Sequence, residues 1–234
     1  MLLHNKHTVL ISPANSKLIK ALEARDIHCI FSEEISELIE YEKYHADMQL
    51  LKIQDTAYIP ENSKCLYEKI KPYFSSVITC KPLSGKYPHN VSLNAGLIDN
   101  YLFCRETTLA TEVRERCNEN NIKIINVNQG YAKCSTLIIN NSIITSDVSI
   151  KKAAENVGIR VLLIQPGFIE LNGAEYGFIG GASGVIGDTV YFFGNISKHP
   201  NYTNIASFIN ENGMNFISLT DEKLQDIGGF VNLK

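Results

Sequence analysis

Short apolar runs alternate with helical patterns along the chain, and the alternation repeats. Thr8-Val9-Leu10-Ile11-Ser12-Pro13 is followed by Ala14-Asn15-Ser16-Lys17, and Thr56-Ala57-Tyr58-Ile59-Pro60 by Glu61-Asn62-Ser63-Lys64. The shared Pro-x-Asn-Ser-Lys string predicts a helix start after each strand, because an Asn or Ser side chain can accept bonds from free N–H groups. Leu18, Ile19 and Leu22, like Leu66 and Ile70, then fall at helical spacing. Three more runs match in type: Asn100-Tyr101-Leu102-Phe103-Cys104, Ser142-Ile143-Ile144-Thr145-Ser146 and Thr189-Val190-Tyr191-Phe192-Phe193. They precede expected helices at about 107–119, 149–156 and 202–212.

Each expected helix leads into a second apolar strand, at about 27–31, 76–80, 122–125, 159–164 and 214–217. Asn120-Asn121, Gly158 and Gly213 stand where a helix C-terminus needs a residue tolerant of positive φ. A loop and a third strand complete each unit, at about 48–53, 93–98, 136–139, 185–186 with its flanks, and 229–233. Asp99-Asn100 and Asn140-Asn141 suit the tight turns that follow. The fifth unit stops without its last strand, while the chain begins with an orphan strand of that type at 8–12. Pairing the two removes both exposed edges. The expectation is therefore one α/β domain over 1–234: a five-bladed, pseudo-symmetric α/β propeller, its ring closed by the N-terminal strand.

Composition narrows the partners. The 234 residues are 44% apolar, enough for a substantial core, with a net charge of -3. Neither a nucleic-acid footprint nor a membrane span is expected. The N-terminus lacks a signal-peptide pattern, so the expected location is cytoplasmic. The six cysteines form no C-x-x-C pair and no Cys/His cluster with zinc spacing. No metal and no cofactor are expected, nor is a disulfide framework.

Five such units closed by an N-terminal strand resemble the pentein superfamily, and in particular a bacterial family with a guanidino-modifying-enzyme-like fold. Pentein enzymes act on guanidino groups; the superfamily also contains the non-enzymatic ribosome anti-association initiation factor. The resemblance implies that the loops between the first and second strand of each unit converge on one axial pocket that takes a small molecule. The loop candidates are His45-Ala46-Asp47, His89-Asn90, Lys133-Cys134-Ser135, Gly180-Gly181-Ala182-Ser183-Gly184 and Asp226-Ile227-Gly228.

His45-Ala46-Asp47 resembles the H-x-D motif of the deiminases, in which the His moves protons and the Asp grips the guanidinium. A carboxylate can accept two N–H bonds from a planar cation, and a His titrates near neutral pH. The alternative is a polar turn. Cys134 lies where a loop meets a strand, and Lys133 is expected to lower its pKa; the alternative is a buried structural thiol. The sequence departs from the family, whose enzymes carry the nucleophilic Cys in the last unit. Here Cys134 is in unit three and His45 in unit one, which keeps the family's two-unit separation as if the site were rotated. Catalytic candidates are thus Cys134 and His45. Substrate-binding candidates are Asp47, Asn90, Lys133, Gly181, Ser183 and Asp226, with unit four offering no acid at Gly180–Gly184.

The glycine-rich segment is expected to let the backbone pass close to the axis; it is not a P-loop. His89 reads as an exposed loop residue, and His4, His7, His28 and His199 are given no role. Glu33, Glu34, Glu37, Glu40 and Glu42 read as a solvated face. The expected function is a hydrolase-like enzyme acting on a guanidino or amidino C–N bond. The alternative is a non-catalytic binding or assembly protein, initiation-factor-like or metabolite-binding.

Overall fold

The computed structural model describes residues 7–234; the first six residues, His4 among them, lie outside the described part. Strand β1 (Thr8–Ile11) leads into helix α1 (Ser16–Glu23), which begins where expected. Asn15 stays extended, and its side chain accepts from the N–H groups of Lys17 and Leu18. The helix returns the chain to β2 (His28–Phe31), parallel to β1. A run of turns and one short helix, α2 (Ala46–Gln49), then precede β3 (Leu51–Ile53). Losing the cap in Asn15→Ala should cost about 1 kcal/mol. A thermal melt checks this, and an unchanged midpoint would refute it.

From β3 onward one plan recurs. A hairpin joins β3 to β4 (Thr56–Pro60), and α3 (Lys64–Ile70) carries the chain to β5 (Ser76–Cys80). The next set is β6 (Gly96–Ile98), β7 (Tyr101–Cys104), α4 (Thr111–Glu119) and β8 (Lys123–Asn126). Then come β9 (Thr136–Ile139), β10 (Ser142–Thr145), α5 (Val148–Glu155) and β11 (Arg160–Leu163). The fourth set is β12 (Ser183–Ile186), β13 (Thr189–Phe192), α6 (Tyr202–Glu211) and β14 (Asn215–Ser218), and β15 (Phe230–Asn232) is last. Each set forms its own three-stranded sheet, antiparallel across the hairpin and parallel across the helix. β15 pairs antiparallel with β1, Leu10 opposite Val231, so the first and last strands share the fifth sheet.

The hairpin turns use the residues expected of them: Asp99 and Asn140 take φ of 54° and 48°. The middle strands β1, β4 and β10 are buried at every residue, which is why they read as unbroken apolar runs. Five buried clusters bind neighbouring sheets. Leu51, Tyr58 and Leu102 join the first two, and Phe103 and Ile143 the second and third. Leu137, Ile144 and Val190 join the third and fourth, and Phe193, Val9 and Phe230 the fourth and fifth. Leu10, Leu233, Ala57 and Ile59 join the fifth to the first. Each Leu, Ile, Val or Phe among them contributes about 1.5–3 kcal/mol by leaving water.

Several boundaries differ from expectation. Met48 and Gln49 belong to α2, so the strand expected at 48–53 starts at Leu51. The strand expected at 93–98 starts at Gly96. Asn62 does not repeat the capping of Asn15: its amide bonds the backbone of Leu83 instead, and a 3-10 turn (Glu61–Ser63) precedes α3. Among the described residues, no helix is long and apolar enough to cross a membrane.

Candidate functional site

Long loops run from the third strand of one sheet to the first strand of the next. Four of them end with Asn94, Cys134, Gly181 and Gly228, each two residues ahead of its strand. The loop from β2 to β3 contributes His45, extended just before α2, and Asp47 within that helix. The fold brings the donor atoms of His45, Asp47 and Cys134 within 4.8 Å of one another, all three residues buried.

Asn94 holds these loops together. Its carbonyl oxygen accepts from the N–H groups of Lys133 and Cys134 at 2.8 and 3.2 Å. Its amide donates to the Asp47 carbonyl at 3.2 Å and to Cys134 Sγ at 3.1 Å. Sequence reasoning missed it because 93–98 reads as a strand, which hides Asn94 in a ladder. The signal available was its position: it stands just before the strand, as Cys134 does.

The fourth and fifth units close over the cluster through backbone. The Gly181 N–H donates to the Cys134 carbonyl at 2.9 Å, and the Gly181 carbonyl accepts from Ile227 and Gly229. A side chain at Gly181 would run into the Asp226 carboxylate. Gly228 has a φ of 82°, and a side chain there would strike His45. Asp226 is buried and spends its carboxylate on the N–H groups of Phe178 and Gly228, at 2.8 and 3.0 Å. Ser183 is buried and donates to the Ile179 carbonyl at 2.7 Å.

Asn90 stands in a different network. Its amide donates to Glu42 Oε2 and Tyr131 Oη, both at 2.8 Å, and Tyr131 donates to Glu42 Oε1 at 2.7 Å. Glu42 is therefore buried and bonded, which corrects its place on a solvated face. A carboxylate in an acidic run gives no local sign of this, since its partners lie far along the chain. His89 is exposed as expected, while His199 is buried, with burial lowering its pKa.

The electrostatics reverse one expectation. Burial raises the Cys134 thiol well above its ordinary range, and the charges of Asp47 and Asp226 raise it further. The net shift is opposite to the one expected from Lys133, whose charge acts on Asp47. Burial pushes Asp47 up to about 6, with Asp226 adding to the rise and His45 and Lys133 opposing it. Neither Asp47 oxygen has an N–H or O–H partner, an unusual state for a carboxylate 2% exposed.

Two cavities reach the cluster. One, of about 390 Å³, is lined by Asp47, Lys133, Ser183 and apolar residues of β3, β6, β9, β12 and β15. The other, of about 410 Å³, is lined by His45, Asp226, Tyr41, Tyr44, Glu40 and Glu170. Glu170 comes from the loop between β11 and β12, so the fourth unit does bring an acid to the site, from a part of the loop not considered in the sequence. The two carboxylates, imidazole and thiol suit a cation with N–H groups, a metal ion, or covalent chemistry at an electrophilic carbon.

A family model described as "Family of unknown function (DUF6873)" matches residues 10–231. No curated protein matches the sequence. Among solved structures, a cysteine-to-serine mutant of DDAH from Pseudomonas aeruginosa, complexed with citrulline, is similar in fold. It is 8% identical, with a TM-score of 0.58 over 96% of this chain and 98% of that one. SxtG, an amidinotransferase from Microseira wollei in the saxitoxin biosynthetic pathway, is 10% identical, with a TM-score of 0.55 over 97% and 94%. The shared fold is that of the pentein superfamily.

Proposed function

The chain belongs to the DUF6873 family, and we propose that it hydrolyses a guanidino- or amidino-type C–N bond, with Cys134 as nucleophile and His45 as acid and base. One observation carries the reading: the His45, Asp47 and Cys134 donor atoms lie within 4.8 Å of one another, and the buried Asp47 carboxylate has no N–H or O–H donor, only the Cys134 thiol. The similarity in fold to a DDAH and an amidinotransferase supports it. In this reading the five sheets form a closed α/β propeller over 1–234, supported by the β1–β15 pairing and by the five clusters between sheets. The site lies on the propeller axis, with Lys133, Ser183 and Asp226 around the ligand, the Gly181 backbone beside it and Asn90 behind. The protein works in the cytoplasm, where its six cysteines stay reduced.

The chemistry follows from the charges. A guanidinium entering the site donates two N–H bonds to Asp47 and brings a positive charge beside the thiol. That charge offsets the carboxylates that hold the proton on Cys134, and the proton passes to His45. The thiolate attacks the central carbon, and the amine leaves with the proton from His45. Water then loses a proton to His45 and adds to the same carbon, and the carbon–sulfur bond breaks to restore the thiol. A guanidinium and water thus become a urea and a protonated amine.

The reading predicts a reagent preference. A cationic chloroacetamidine should alkylate Cys134 at least about tenfold faster than neutral chloroacetamide, with loss of chloride. The exposed Cys65 should not discriminate. Peptide mapping of the labelled protein decides it. Equal, slow labelling of Cys134 by both reagents would remove the activated-thiol reading and leave a binding protein.

A further inference from the structure

We propose that His45, Asp47 and Cys134 form a binding site for a divalent metal ion of the zinc class. The three residues offer one imidazole nitrogen, one carboxylate oxygen and one sulfur, with every pair of donor atoms within 4.8 Å. A tetrahedral zinc site with bonds of about 2.0–2.3 Å sets its donors roughly 3.3–3.8 Å apart. Closing the cluster around an ion takes side-chain movements of about 1 Å.

A second observation is independent of that spacing. Both Asp47 oxygens are buried with no N–H or O–H partner, although Asn94, Gly229 and the thiol surround the residue. Asp226 is different, since two backbone N–H groups satisfy it. The cluster therefore contains one buried carboxylate bonded by nothing but the thiol, whose proton a metal ion would displace, beside an imidazole. Sulfur and nitrogen together favour zinc over magnesium or calcium, which take oxygen alone. Asn94 fits the arrangement: its amide donates to Cys134 Sγ, as outer partners of metal thiolates do. Three protein ligands leave a fourth position, and the two cavities lined by Asp47 and His45 can supply water to it. Binding releases the thiol proton to the buffer and forms the sulfur–metal bond.

The inference uses the same residues as the proposed reaction but does not depend on turnover. A bound ion occupies the sulfur lone pair, so metal and guanidinium exclude each other. The test is titration of the reduced, chelator-stripped protein with cobalt chloride. One equivalent should raise a thiolate-to-cobalt charge-transfer band and the visible bands of a tetrahedral ion, and zinc chloride should bleach both. Cys134→Ser should lack the charge-transfer band. Asp47→Asn, close in shape, should fold and bind cobalt more than about tenfold more weakly. Absence of the band in the folded wild type overturns the proposal, and so does a band that survives Cys134→Ser but is lost in Cys65→Ser. Chloroacetamidine labelling without cobalt binding removes the metal site and spares the hydrolase reading. Cobalt binding without labelling does the opposite.

Discussion

Cys134→Ala is expected to lower turnover of a small alkylguanidinium at least about 10³-fold, with thermal stability nearly unchanged. The size follows from the role, since loss of a covalent nucleophile removes the route and not merely one contact. Stability should hold because alanine keeps the backbone bonds that matter here: Cys134 N–H to Asn94, and the Cys134 carbonyl to Gly181. The buried sulfur gives up its amide donor, Asn94, whose other bonds remain, and its hydrogen bond to the Asp47 carboxylate, which alanine also stops crowding. Ammonia or amine release, followed against the folded variant, is the measurement. If Cys134→Ala turns over such a substrate at the wild-type rate, Cys134 is a structural thiol and the reaction scheme is wrong.

Asp47→Asn is expected to gain about 3 kcal/mol of stability relative to wild type between pH 4 and pH 8, measured by urea unfolding in chelator. The folded pKa of Asp47 is about 6 against an ordinary value of 3.8. A raised carboxylate pKa means that the native state holds the proton longer than the unfolded chain does. Its favourable contribution is complete below about pH 4 and is lost as pH rises through 6. At roughly 1.4 kcal/mol per pH unit, that interval corresponds to about 3 kcal/mol. Asparagine cannot ionise, so the variant should escape the loss, and the gap between the two proteins should open across this window. A gap that stays constant with pH would mean that Asp47 is solvated or paired when charged, contrary to its burial and its lack of N–H and O–H donors.

Much of the fold was legible along the chain because its causes are local. Unbroken apolar runs in strands, apolar residues at helical spacing, Asn15 at a helix start, and Asp99 and Asn140 in tight turns act within a few residues of themselves. The unpaired strand at 8–12 was visible as a mismatch in the repeat, and the structure pairs it with β15. His45, Asp47 and Cys134 were marked by the same logic, as reactive side chains in loops that end just before a strand.

What the chain alone did not reveal depends on contacts between distant segments. Lys133 is the neighbour of Cys134 in sequence, which suggested a lowered thiol pKa. In the folded protein, burial and the charges of Asp47 and Asp226 decide the matter, in the opposite direction. Glu42 looked solvated until residues 48 and 89 positions further along, Asn90 and Tyr131, were found to bond it. Asn94 was hidden by a strand boundary three residues away from where the pattern put it. No zinc spacing exists in the sequence, since the three donors come from positions 45, 47 and 134. Periodicity reports what each segment will become, because propensity and capping act over one turn or one hairpin. Charge, burial and ligand geometry act through space, and only the packing of the five sheets brings those groups near enough to one another to matter.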